Sequence, residues 1–147
     1  MIRLRPIAAL ALIFLVAGNS PAKPMTRAGI TVVVENLRSD KGVVRIALWS
    51  KADGFTEPDA AVAETGKKAQ LGRVVFTFTD LPAGRYAIAS FHDENGNGDF
   101  DRTFLGLPKE GLGFSNGAWI SFGPPAFDEA AVEVNVPNKL IFVKLRY

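Results

Sequence analysis

Cysteine is absent from all 147 residues and histidine occurs once. The first absence excludes disulfide stapling, thiolate metal sites and a cysteine-borne lipid anchor. The second leaves zinc without a workable ligand set, because one imidazole with no thiolate is a poor site. An excess of charge is lacking too. Of the 17 basic residues set against 15 acidic ones, two (Arg3 and Arg5) precede residue 23, and the rest of the chain is formally neutral. The net charge of +2 therefore belongs to the N-terminal segment and gives no argument for a nucleic-acid partner. Lys67-Lys68 is the one adjacent basic pair beyond it, and a solvated turn accounts for that pair. There is also no nucleophile elbow, and the glycines of residues 106–116 match neither a phosphate loop nor a dinucleotide fingerprint.

No apolar run is long enough to span a bilayer comfortably; the longest covers residues 7–17. With Arg3 and Arg5 before it and Ser20-Pro21-Ala22 after it, this run has the three-part layout of a secretory signal peptide. Cleavage is expected after Ala22, with Gly18 as a second option and an uncleaved anchor as the alternative. The expectation is a signal peptide over residues 1–22 and one periplasmic or secreted domain over 23–147, with no further membrane segment. That length supports a real hydrophobic core.

What is present is mostly β patterning. Ile30, Val32 and Val34 alternate with Thr31, Val33 and Glu35, and Val44, Ile46 and Leu48 share a face within residues 43–49. The polar stretch 38–42 between them predicts a hairpin connection and antiparallel pairing of its flanking strands. Residues 58–64 suit a helical turn or two starting at Pro58, and 66–72 reads as a polar connection. Val74, Phe76 and Phe78 mark another strand. A turn through Pro82 and Gly84 leads into a strand carrying Tyr86, Ile88, Ser90 and His92 on one face. Val132, Val134 and Val136, then Ile141, Val143 and Leu145, supply the last alternations. Six or seven short strands predict an all-β fold. The expected form is an antiparallel β-sandwich of about seven strands, of immunoglobulin or prealbumin type, with an antiparallel barrel as runner-up. Residues 102–127 form a long Gly- and aromatic-rich loop. Its Phe104, Leu105, Leu107, Leu112, Phe114, Trp119 and Phe122, with Phe100 just before it, are expected to pack as a satellite core rather than line a ligand groove.

The densest chemistry lies in residues 92–101. Six oxygen-bearing side chains and two glycines follow an apolar strand there. Asp93, Asn95 and Asn97 occupy positions one, three and five of a calcium-type loop, with Gly98 at the sixth, Asp99 at the seventh and Asp101 at the ninth. Phe104 stands at position twelve in place of a bidentate glutamate, and no helical pattern flanks the loop, so it is not an EF-hand. Two readings stay open. In one the loop binds Ca2+ on a β scaffold, completed by a further ligand from Glu110, Asp80 or Glu94. In the other it binds no cofactor, and its Asp and Asn side chains cap their own backbone.

Several segments resemble the exported bacterial proteins grouped as domain of unknown function family 2141. They are Phe78-Thr79-Asp80-Leu81-Pro82-Ala83-Gly84-Arg85-Tyr86-Ala87, His92-Asp93-Glu94-Asn95-Gly96-Asn97-Gly98 and Gly106-Leu107-Pro108-Lys109-Glu110-Gly111. Gly113-Phe114-Ser115-Asn116 and Pro124-Pro125-Ala126-Phe127 complete the set. The resemblance implies a secreted or periplasmic β-sandwich and brings no activity or ligand. The shorter Leu81-Pro82-x-Gly84-x-Tyr86 portion also looks like transthyretin-like and collagen-adhesin B-type modules, which are sandwiches too.

His92, Glu94, Lys109, Ser115 and Asn116 join the acidic loop as candidates for ligand contact. The expected function is that of a non-enzymatic ligand- or partner-binding module of the cell envelope, its ligand a glycan, peptide or protein. A calcium-stabilised structural module is the alternative, and a hydrolase using His92 with Asp93 or Glu110 ranks last. His92 itself is expected to close its strand and hydrogen-bond the loop. Expression in a bacterial host, followed by N-terminal sequencing of the periplasmic or secreted product, should read from Lys23. A full-length product held in the membrane fraction would establish the uncleaved anchor instead.

Overall fold

The computed structural model describes residues 27–147, so the signal-peptide reading of residues 1–22 lies outside it. In a strand every second side chain points to the same face, and the alternating runs bury the faces they promised. Ile30, Val32 and Val34 of β1 (Arg27–Leu37) are fully buried, as are Val44 and Leu48 of β2 (Val43–Trp49). Val74 and Phe76 of β4 (Gly72–Pro82) join them, together with Tyr86 and Ile88 of β5 (Gly84–Asp93). Ile141 and Val143 of β8 (Lys139–Lys144) and the following Leu145 complete the central core. Each such side chain stabilises the fold by roughly 1.5–3 kcal/mol on burial.

Among the described residues the strands form two sheets. One is ordered β4-β1-β8. The other runs β3-β2-β5-β6, where β3 is Ala63–Lys68 and β6 is Gly111–Phe114, and β7 (Val132–Val134) pairs with the start of β5. The sheets face each other as a β-sandwich and do not close into a barrel. One pairing departs from the antiparallel expectation, since β1 and β8 run parallel. A second departure concerns the 38–42 connection. It does not make a hairpin, because β1 and β2 belong to different sheets. Asn36 adopts a left-handed φ of 68°, and the pairing of β1 with β4 shifts register between Glu35 and Leu37, so the chain turns across the sandwich instead of back along its own sheet.

Two strands escaped the periodicity. β3 is an edge strand of sequence Ala-Glu-Thr-Gly-Lys-Lys with almost no buried residue, so it replaces the expected helix end and polar connection without any apolar alternation. Only Pro58–Ala60 forms a turn of 3-10 helix there. β6 lies inside the Gly-rich loop, where two glycines interrupt the pattern. A Cβ on Gly111 would meet the Tyr147 ring at 2.5 Å, and one on Gly113 the Lys144 carbonyl at 2.6 Å. These close approaches explain why glycine occupies a strand.

The five-stranded arrangement is covered on its outer face as well. Ala47, Ala87 and Ala89 leave room there for Trp49, Phe55, Leu112, Phe114 and Phe127, the last from the one-turn helix α1 (Phe127–Ala130). The expected satellite core is therefore real but divided. Leu112 and Phe114 are buried, Phe100 and Trp119 are half-buried, and Phe104, Leu105, Leu107 and Phe122 stand exposed. None of the described helices is long and apolar enough to cross a membrane.

Gly42 fixes where β2 meets β5. Its φ is +69°, and an added Cβ would overlap the Asp93 carbonyl and lie 2.8 Å from Glu94 Cα. A side chain there is strained and has no space. Gly42→Ala should lower stability by roughly 2–4 kcal/mol in urea unfolding; a midpoint unchanged from that of the parent protein would contradict this packing.

Candidate functional site

β5 leaves the sheet at Asp93, and that residue organises the loop beyond it. Its carboxylate is fully buried. Oδ1 accepts the N–H groups of Gly96 at 2.7 Å and Asn97 at 3.1 Å, while Oδ2 accepts Gly98 N–H at 3.0 Å and Arg45 Nε–H at 2.9 Å. The glycines permit this wrap, with φ of 72° at Gly96 and 91° at Gly98. Burial opposes ionisation of Asp93, yet the Arg45 guanidinium and the Gly98 and Gly96 N–H groups outweigh it and hold the carboxyl below its ordinary range. Arg45 pairs with Asp93 and is thus the loop's built-in cation.

The asparagines repeat the device on a smaller scale. Asn95 Oδ1 accepts Asn97 N–H at 2.9 Å and Asn97 Oδ1 accepts Asp99 N–H at 2.9 Å. Their amide groups both donate to Asp101 Oδ2, at 2.7 and 3.3 Å. Side chains of Asn95, Asn97 and Asp101 therefore converge, whereas Asp99 is exposed and reaches none of them. Glu110 is brought in from the Gly-rich segment. Its buried carboxylate accepts Glu94 N–H at 3.0 Å and Asp101 N–H at 3.2 Å, joining the two ends of the loop. Glu94 turns the other way, paired with Arg38 and accepting the Ser39 hydroxyl at 3.0 Å. The Arg38 hydrogen bond is the main reason its carboxyl lies below the ordinary range. Asp80 is not brought to the loop at all: it pairs with Arg27 at the opposite end of β1, ~30 Å away along an extended strand. Among the described residues no three His, Asp or Glu side chains are gathered as a metal cage.

His92 is fully buried and both its ring nitrogens are engaged. Nε2–H donates to the Lys41 carbonyl at 2.7 Å, which fixes the tautomer, and the Tyr147 hydroxyl donates to Nδ1 at 2.8 Å. His92 thus bonds the 38–42 connection and the chain terminus rather than the 93–101 loop, and neither nitrogen meets Asp93 or Glu110. Ser115 and Asn116 lie elsewhere, under α1. Ser115 Oγ accepts Ile88 N–H at 2.9 Å and donates to the Ala130 carbonyl at 2.6 Å, and Asn116 Nδ2 donates to the Glu129 carbonyl at 2.9 Å. Lys109 is exposed, with its N–H on the Asp101 carbonyl at 3.0 Å.

Beyond Asp101 the chain forms a tight hairpin. Arg102 bridges to Pro108, Thr103 N–H donates to the Leu107 carbonyl at 2.7 Å, and Leu107 N–H reaches Thr103 Oγ1 at 3.1 Å. Phe104, Leu105 and Leu107 occupy its tip at 97%, 70% and 60% exposure. Phe100 anchors the base edge-on against Phe91, ring centres 5.6 Å apart. Arg45 and Tyr147 were missed as site residues by sequence reasoning. Arg45 left a trace, as the one charged side chain between Val43 and Trp49; Tyr147 left none, because its partners lie more than fifty positions away.

Membership follows from sequence comparison. The chain belongs to the family described as "Uncharacterized protein conserved in bacteria (DUF2141)", whose profile matches residues 32–141, from the middle of β1 to β8. No curated protein and no solved structure matches it, so the shorter likeness to transthyretin-like modules gains no support.

Because Asp93 and Glu94 are held below their ordinary range, their contribution to stability is complete above the unfolded carboxylate values of about 4 and is lost as pH falls through the folded ones. Asp93→Asn should be less stable at pH 7 by roughly 2–4 kcal/mol, through loss of charge-assisted hydrogen bonds in a buried site. Its unfolding midpoint should then change less than the parent's between pH 5 and pH 3. Equal acid sensitivity in the two proteins would show that Asp93 is not the group responsible.

Proposed function

We propose that the chain is an exported, non-enzymatic binding module of the bacterial envelope whose contact element is the hairpin over residues 102–108. The observation that carries this reading is the pairing of a rigid foot with an apolar tip. Phe104, Leu105 and Leu107 are exposed on a hairpin closed by its own backbone bonds and tied down by Glu110 and Phe100. Large apolar side chains clustered at a surface mark interaction sites, and a preformed loop loses little entropy when it docks. The occupant is an envelope glycan, peptide or protein that buries the tip.

Buried His92, with both nitrogens engaged by neutral groups, supports the non-enzymatic part of the reading. The loop below the hairpin acts as its foundation. Arg45 supplies positive charge at Asp93, so the loop is proposed to hold its shape without calcium. On that basis the melting temperature should agree within about 1 °C between EDTA and millimolar calcium, and a calcium-dependent rise of several degrees would instead favour the ion-stabilised module.

The contact element is tested with a photo-crosslinking amino acid at Phe104 or, as a control, at Phe142, exposed on the outer face of the three-stranded sheet. Crosslinking in intact cells should give discrete adducts from position 104 alone. Adducts that are equal at both positions, or absent at 104, would overturn the assignment. A Phe104→Ser/Leu105→Ser variant should retain its melting temperature within about 2 °C, since both side chains are already in water.

A further inference from the structure

We propose a second site, independent of the hairpin: the cleft between the edges of β3 and β4 binds a small oxyanion-bearing ligand, a phosphate or carboxylate on a body no larger than one sugar ring. The cleft measures about 400 Å³ and is lined by Lys67, Lys68, Gln70, Arg73, Val74 and Val75. That size lies near the lower end of ligand pockets, roughly 300–1,000 Å³, which excludes a buried oligosaccharide.

Charge sets the ligand class. Among the described residues Arg27, Arg38, Arg45 and Arg85 each pair with a carboxylate, but Lys67, Lys68 and Arg73 pair with none. Three cations without an ion pair surround one concavity, with Glu35 on β1 as the acid opposite Arg73, and their excess positive charge raises the local concentration of anions. The backbone adds a directed donor. The Glu35 carbonyl is turned toward β8, accepting Leu145 N–H at 2.9 Å, so Val33, two residues earlier, faces the same way. Its partner Val75 therefore directs both N–H and C=O away from β1 and into the cleft. The Val75 carbonyl accepts a hydrogen bond from Lys67 Nζ at 2.7 Å, which brings that ammonium across the gap between the sheets, 5.3 Å from the centre of the Phe76 ring. The Val75 N–H lies beside that carbonyl, and Gln70, Lys68 and Arg73 line the same cleft, so donors for an oxyanion are present on both of its sides. Arg73 suits a planar or tetrahedral oxyanion through its guanidinium fork.

The test is an amide chemical-shift titration of the protein with inorganic phosphate, glucose 6-phosphate, glucuronate and, as the uncharged control, glucose. Saturable shifts at Lys67, Lys68, Arg73 and Val75 are expected with one or more of the anions and not with glucose. They should weaken at least tenfold in Lys68→Gln/Arg73→Gln, a surface variant that leaves the Lys67 bridge and the fold in place. Phosphate alone matching glucose 6-phosphate would identify the oxyanion as the whole ligand, whereas preference for the sugar-borne anions would assign the ring to Val74 and Val75. Absence of saturation by every anion up to about 20 mM, an equal response to glucose, or unchanged affinity in the double variant would each overturn the proposal. The hairpin variants leave this cleft intact, so failure of one reading does not affect the other.

Discussion

A buried carboxylate without partners is untenable, and the architecture around β5 follows from how Asp93 avoids that state. Its two oxygens take three backbone N–H groups and one guanidinium. Bonding to successive N–H groups forces residues 96–98 to curl around the side chain, and positive φ then makes glycine the natural occupant of the curl. Arg45 is fixed in return, because it lies on β2 opposite Phe91 and next to the strand end that Asp93 terminates. One charge pair therefore sets the exit of β5, the shape of the loop and the orientation of the hairpin beyond it. Glu110 repeats the principle at the loop's other end, where a buried acid ties Glu94 and Asp101 together through their N–H groups.

The same strand shows how one sheet is made to bury both faces. Tyr86 and Ile88 point into the sandwich, while Ala87 and Ala89 leave shallow ground for the aromatic cluster outside. Tyr86 carries its hydroxyl back to the Pro82 carbonyl at 2.7 Å, so a large ring is buried without an unsatisfied polar atom, and burial raises its phenol above the ordinary value. Ser115 performs a similar service between β5 and α1. With covers on both sides, the sheet leaves its outer edge, β3, as the place where charge can gather. There the polar Glu-Thr-Gly-Lys-Lys run protects an edge that would otherwise pair with another chain.

Much of this was legible in the chain itself. Alternation at Ile30–Val32–Val34, at Val44–Ile46–Leu48 and along β5 identifies buried faces because β-strand side chains have a period of two wherever one face meets the core. The turn chemistry of Gly96 and Gly98 could be read at the same level, whereas Glu110, open in sequence as one of three further ligands, is placed by the fold on the N–H groups of Glu94 and Asp101. β3 could not, since an edge strand in water has no face to mark. β6 could not either, since its glycines answer to Tyr147 and Lys144, whose proximity arises only on folding.

Sequence alone determined that this is an all-β chain with no cysteine chemistry and with a loop of Asp, Asn and Gly after the strand that ends at His92. Those properties rest on composition and on spacings of a few residues, which local stereochemistry can enforce. Tertiary structure decided the rest. It placed β1 and β2 in different sheets, ran β8 parallel to β1, and split the aromatic segment into a buried half and an exposed hairpin tip. It also supplied Asp93 with Arg45 and His92 with Tyr147, partners 48 and 55 positions distant. No local pattern encodes such pairs, because each side chain is satisfied by a neighbour that exists only once the sheets have packed.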